Sequence, residues 1–581
     1  MNQPCELYSY HVFLFPFQWS YTGKNYVSKN FEEKTNLKDF VSFLDKTPWK
    51  QNQFVPDTVL NYNEYNYFYD FVRQAMYDVK KVPEISREKA DEQFIAHFSY
   101  DIKMDEAVYS IRLNKQGVVK TYHLLIDSIL LHLYNTGVGV LSFHLNNRNA
   151  DQASPDDILN INQHGRRLFP PFFGMDRGVT GSPEQYDYVD FTKGLTAVKN
   201  AELADEIEIS ITGIEDFSVY TDPAYFRQGV LRLPAFMDSL FNQVPLAHNK
   251  MDADNGSTKI NIEPLLDDRM FVICWYGNDE LSGNLIPPQK DGKYDMTSPA
   301  YLTNEWLYKY IFVDGSGMMT CQNSKMSSQF LEKHTNVRWL NFGTIFGVSR
   351  YSFVCLTSSL EKLKEYNSAF LLNHVQTMYY KMTELCLLQR ACVLRFSDEV
   401  TAISAMKDKE SKYLPGKVSS LYKQYLRFVN KIYFREITAQ EQGIELYNLM
   451  QEVMNIKGHV HDLDGEISEL HNYVNLVEEE KQNKNIALLT IIGALFVIPS
   501  FIASFFGMNM FNISKPGFEV NLWTLWLVTP AMFMSAGIFY LILRGKSIQA
   551  GTRLKKTGII LISLLVVILT LISAICFYTV K

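Results

Sequence analysis

The stretch "IALLTIIGALFVIPSFIASFFGMNM", residues 486–510, decides how the rest of the sequence is read. Residues 486–506 carry no charge. At about 1.5 Å per residue, a helix of that length matches a hydrocarbon core of ~30 Å. Two more apolar runs follow, "LWTLWLVTPAMFMSAGIFYLIL" at 522–543 and "GIILISLLVVILTLISAICFY" at 558–578. A buried core helix accounts for one such run, but three in succession predict a transmembrane domain over 486–581. Basic residues then set the orientation. Lys481 and Lys484 precede the first run, and Arg544, Lys546, Arg553, Lys555 and Lys556 lie between the second and third. The intervening loop holds only Lys515 and Glu519. The expectation is an integral protein of the inner membrane, with a cytoplasmic N-terminal region and the C-terminus outside.

Upstream, Thr438 and Glu441 are spaced as a capping box. From there Leu446, Leu449, Val453, Ile456, Val460, Leu463, Ile467, Leu470, Val474 and Val477 alternate steps of three and four, a heptad seam. This predicts one continuous helix from about 439 to about 506, its lower part a stalk whose seam is covered by other helices of the chain or by identical subunits. Inside the first apolar run, Thr490, Gly493, Val497, Ser500 and Ser504 form a mostly small or hydroxylated stripe. Such a stripe serves close helix packing or lines a watery path.

Gly507-Met508-Asn509, at the end of an apolar helix and before a second span, resembles the signature of the CorA family of magnesium transport proteins. The run from Leu489 to Met510 is also similar to that family's first membrane helix, with an early threonine, a central proline and a terminal GMN. The resemblance implies a CorA-like homopentamer with five first helices around a pore. Gly507, Met508 and Asn509 would form a ring at its mouth, and the Thr490–Ser504 stripe would line the conduit. Mg²⁺ releases its waters reluctantly, so neutral amide and carbonyl oxygens suit a hydrated ion that must be let go again. Three features depart from the family pattern. "FNISKPGFEVN" replaces the acidic loop after GMN, a third span is added, and the N-terminal region is larger. This layout resembles a divergent CorA-like group found beside type III CRISPR systems. That likeness implies antiviral defence and gating by a nucleotide messenger, S-adenosylmethionine joined to AMP (SAM-AMP). The alternatives are housekeeping uptake of Mg²⁺ or another divalent cation, regulated by the cation itself, and a non-conducting membrane receptor or scaffold.

Residues 1–365 read as an α/β domain that senses a ligand, 366–437 as a helical region and 438–485 as the stalk. Strands are expected at "YSYHVFLFPF" (8–17), 107–113, 138–145, 206–212, 269–276 and 350–357, all rich in β-branched and aromatic residues. "VVKTYHLLIDSILLHLYNTG", 118–137, is expected to be a helix closed by Gly137. No nucleotide-binding loop, nucleophile elbow or dinucleotide fingerprint occurs, so no enzyme is expected. The anion-binding candidate is "QHGRRLFPPFFGMDR", 163–177. The guanidinium forks of Arg166, Arg167 and Arg177 suit phosphate, and Phe169, Phe172 and Phe173 could stack on a base. Asp216 and Asp222 could complete a nucleoside site. Exposed salt bridges and core aromatics explain the same letters. In "HVHDLD", His461 and Asp464 share a helix face and could hold a regulatory divalent ion between subunits, although a solvated coiled-coil face reads the same way.

The net charge of -7 offers no general basic face for nucleic acid. Seven scattered cysteines without a C-x-x-C pair fit neither a disulfide framework nor a zinc knuckle.

Overall fold

The structure, a computed structural model, describes residues 6–507 apart from 78–93, 103–106, 169–175, 178–185, 188–205, 212–217, 220–232, 248–257, 407–412 and a few shorter gaps. The chain divides into two compact units, Met1–His471 and Asn472–Lys581.

The first unit is built on a 13-stranded sheet. Its central strand β1 (Ser9–Thr22) is buried on both faces over most of its length, as its near-continuous run of aromatic and β-branched residues requires. The strands used below are β2 (Val108–Lys115), β3 (Val118–Tyr134), β4 (Val138–Asn147), β5 (Glu206–Ile211), β6 (Phe271–Gly277), β7 (Ile345–Val348) and β8 (Ser352–Thr357). Their order in the sheet is β5-β2-β3-β4-β1-β6-β8-β7, antiparallel except for the β6–β8 pair. A proline inside a central strand removes a ladder donor. Pro16 is tolerated because it sits where the neighbour of β1 changes from β6, paired as far as Leu14, to the strand Lys259–Pro264, paired from Phe17.

The six expected strands are present. The expected helix at 118–137 is not, because those residues form β3, with 17 residues the longest strand described. Tyr122, Leu124 and Ile126 are buried at every second position, and Ile129, Leu131 and Leu133 continue the alternation. A bulge between Ile126 and Ser128 shifts the register. One extra residue turns a step of two into a step of three, and that step imitates a helical period. Gly137 (φ +74°) closes the β3–β4 turn instead of capping a helix. On β4, a Cβ added to Gly139 would come 2.3 Å from the Phe17 ring. Gly139→Ala is therefore expected to lose about 1–3 kcal/mol by overpacking. A drop in urea midpoint with unchanged far-UV circular dichroism checks it.

Five helices matter for the site: α1 (Pro155–Gly165), α2 (Met378–Ser404), α3 (Leu414–Lys431), α4 (Glu441–Val453) and α5 (Ile456–Gly507). The expected continuous helix is broken between α4 and α5 at Asn455, whose left-handed φ of +52° suits asparagine better than most side chains. The Asn455 carbonyl then accepts the His459 N–H at 3.1 Å and starts α5. Thr438 is not the helix cap either. Its hydroxyl donates to the Tyr67 carbonyl at 2.6 Å, and Gln440 takes the cap position. The hydrophobic period crosses the break because both helices bury the same strip, with Leu446, Val453, Ile456, Val460, Leu463 and Ile467 all inside. Helices of the same chain cover that strip. Tyr425 of α3 donates to Asp464 at 2.9 Å, and Ser397 of α2 donates to Glu466 at 3.2 Å.

Among the described residues no helix is long and apolar enough to cross a membrane. This corrects the expectation of C-terminal transmembrane helices and of an integral inner-membrane protein. Helix α5 carries charged residues as far as Lys484, and much of its uncharged end lies outside the residues whose side chains are described. The runs 522–543 and 558–578 lie outside the described residues. The structure is that of a single chain and shows no homopentamer.

Candidate functional site

The residues expected to bind an anion are placed unequally. Arg166 and Arg167 follow the last turn of α1, where Gly165 leaves room for the Phe13 and Ile111 side chains. Arg177 lies in a two-residue strand, Asp176–Arg177, paired with Tyr186–Asp187. Phe169, Phe172, Phe173, Asp216 and Asp222 lie outside the described residues. The two neighbouring arginines have different surroundings. With the Gln163 amide oriented to satisfy both its ends, its oxygen accepts from Arg167 Nη2 at 3.2 Å. Arg166 is only 2 % exposed, and its Nε and Nη1 have no hydrogen-bond partner.

Arg166 faces a small cavity of about 300 Å³, its open mouth included, whose lining holds the guanidiniums of Arg166, Arg269, Arg350 and Arg390, the Asp267 carboxylate and the Tyr351 ring. Four segments distant in sequence build it: the end of α1, the approach to β6, the turn before β8, and α2. The backbones of Arg167 and Arg269 form a bridge, and Met270 N–H donates to the Arg166 carbonyl at 2.8 Å, which locks the first two together. The Arg166 and Arg269 guanidiniums lie 5.5 and 5.3 Å from the Tyr351 ring centroid. Arg269 donates to one Asp267 oxygen from Nε at 3.0 Å and from Nη2 at 2.8 Å. Burial, with Arg269 and Arg167 close by, pulls the Arg166 guanidinium down to about 9, so it remains charged at neutral pH. Burial and the neighbouring Arg350 likewise lower Arg390.

The cavity abuts the α4–α5 junction. Arg350 Nε reaches the Val453 carbonyl at 3.4 Å, and Arg390 Nη1 donates to the Arg350 carbonyl at 3.1 Å. His459, from "HVHDLD", lies close enough that burial, Arg390 and Arg350 all lower its pKa. In the same motif Asp464 accepts from Tyr425 and His461 is exposed. Among the described residues no three His, Cys, Asp or Glu side chains are grouped to hold a metal.

A hydroxyl–imidazole–amide relay also occurs. Ser9 Oγ lies 2.8 Å from His11 Nε2, and His11 Nδ1 lies 2.7 Å from Asn162 Oδ1. All three residues are sealed in the core, and Asn147 also donates to Ser9 Oγ. The relay ties β1 to α1 and presents no reactive oxygen to a substrate.

Of the C-terminal candidates, Thr490, Gly493, Val497, Ser500 and Ser504 fall on α5, with Thr490 Oγ1 turned back onto the Ile486 carbonyl at 2.8 Å. Gly507 is the last residue of that helix, while Met508 and Asn509 lie outside the described residues. Residues 402–545, which contain α3, α4, α5 and the GMN tripeptide, match the family described as CorA-like Mg2+ transporter protein. This segment is CorA-like. No curated protein and no solved structure matches the chain. The family so described is one of Mg²⁺ transporters, and the match covers residues 402–545 alone. It gives no support to gating by SAM-AMP or to a role in antiviral defence.

Proposed function

We propose that this chain transports a divalent cation through its CorA-like segment, as a homo-oligomer whose N-terminal α/β unit regulates transport. The observation that carries the reading is the family match over residues 402–545, with GMN at the end of α5. Asn509 is the residue we assign to the hydrated ion. Gly507 frees the chain to turn there, Met508 completes the ring, and the stripe from Thr490 to Ser504 faces the ion's path. Neutral oxygens bind Mg²⁺ through its water shell and release it, which a carboxylate ring would slow. Regulation follows if a ligand of the N-terminal unit binds one arrangement more tightly than another. Cells that lack their own Mg²⁺ uptake and express the chain are expected to accumulate Mg²⁺, and Asn509→Ala is expected to remove the gain at equal protein level. Equal uptake by cells with and without the chain would overturn the reading.

A further inference from the structure

Among the described residues, the lining of the arginine cavity sets four guanidiniums against one carboxylate, that of Asp267, which accepts twice from Arg269. Arg166, almost completely buried, directs two donor nitrogens at no acceptor. A buried donor left unmade is costly, and a charged one more so. The negative end of the α1 dipole and the face of Tyr351 ease the charge of Arg166, but neither accepts its N–H groups.

An arrangement of this kind is complete when an oxyanion occupies it. Guanidinium forks match tetrahedral oxyanions in geometry and charge, and several converging on one point favour a dianion over a carboxylate. The volume limits the guest as well. Only about 20 Å³ of it is open to the centre of a water-sized group, far below the space in sites that enclose drug-sized ligands. A single compact group fits inside, with any larger body projecting out.

We propose that this cavity is a binding site for a phosphate group, held by Arg166, Arg269, Arg350 and Arg390, with the Tyr351 ring packed against two of the guanidiniums. The site differs from the one expected from "QHGRR". It uses Arg166 without Arg177, and it recruits three arginines from elsewhere in the chain. It also carries a consequence for the fold. Arg350 holds the Val453 carbonyl at the end of α4, so an anion that draws the Arg350 side chain inward competes with that contact beside the Asn455 break.

The test titrates inorganic phosphate, and separately AMP, into the purified full-length protein at constant ionic strength, read by calorimetry and by melting temperature. Wild type is expected to bind saturably and to melt higher with phosphate. Arg166→Gln is expected to bind about 10-fold or more weakly, in line with the loss of a charge-assisted hydrogen bond. Without phosphate it is expected to melt no lower than wild type, because it sheds an uncompensated buried charge; a purely structural arginine would lower the melting temperature. Arg390→Gln, at a more exposed position, is expected to weaken binding in the same direction and decides the matter if Arg166→Gln does not fold. Tighter binding of AMP than of phosphate would show that the group arrives on a nucleotide, and equal binding that it arrives free; both uphold the site. No saturable binding of either probe, or wild-type binding by both folded variants, overturns it. None of these readouts involves cation movement, so the phosphate site and the transport reading fail independently.

Discussion

Glu384→Ala is expected to destabilise the N-terminal unit by roughly 3–5 kcal/mol, the range for removing one partner of a buried ion pair. Glu384 is fully buried where α2 crosses the sheet. Its Oε2 accepts from Lys381 Nζ at 3.0 Å, and its Oε1 accepts from Tyr134 at 3.2 Å and from His132 Nδ1 at a short distance. Burial alone would raise its pKa, but His132 and Lys381 outweigh burial and hold it well below the usual carboxylate range. Burial also lowers His132, which therefore sits there neutral as a hydrogen-bond donor, and the positive charge comes from Lys381. Without the carboxylate, Lys381 keeps, among the described residues, the faces of Tyr77 and Tyr380, at 5.7 and 5.4 Å, and the charge of Glu64. The check is the urea midpoint of the first unfolding transition, with the double variant Lys381→Met/Glu384→Leu as comparison. The double variant is expected to lose much less than Glu384→Ala, since it removes both charges together. A loss below about 1 kcal/mol for Glu384→Ala would show that the pair is not the constraint described.

The same network explains why some of this protein was legible in the sequence and some was not. The β-rich segments around Phe13, Val140 and Val272 were legible because their composition and length are local properties. β3 was misread at the one point where a bulge turned a period of two into a step of three. The α4–α5 break was hidden because the hydrophobic strip continues on both sides of Asn455, and only the backbone shows the reversal. Arg166 stood out beside Arg167, yet its real partners, Arg269, Arg350 and Arg390, are brought to it by the sheet and by α2. No window on the sequence contains that juxtaposition. GMN was legible for the opposite reason, as a short motif tied to the helix just before it. It identifies the frame of the segment, and the match over 402–545 supports that reading.

Lowering the pH from 7 to 5 is expected to destabilise the same unit by several kcal/mol, well before the Glu384 carboxylate titrates. Burial lowers the pKa of four core histidines: His11 to about 4, His144 to about 3, and His97 and His132 in the same direction. Ring nitrogens of two of them are engaged in the fold through the 2.7 Å contacts of His11 with Asn162 and of His144 with Tyr10. The charges facing His132 and its neighbours are Lys381, which lowers these values further, and Glu384, which raises them. In the unfolded chain each histidine takes a proton near its ordinary 6.5. Between that value and its folded value the unfolded state binds the extra proton, so stability falls as pH falls. The slope reaches about 1.4 kcal/mol per pH unit for each histidine. Glu384 acts in a separate, lower window. Its depressed pKa contributes stability that is complete above its ordinary value near 4.5 and is lost only as pH falls through the folded value. Two acid limbs are therefore expected, a histidine limb starting near 6.5 and a carboxylate limb below about 4.5. Urea midpoints measured across this range would resolve them. His11→Asn should flatten the upper limb by about one proton and leave the lower limb in place. Stability unchanged between pH 7 and pH 5 would mean that the buried imidazoles reach water more readily than their packing allows.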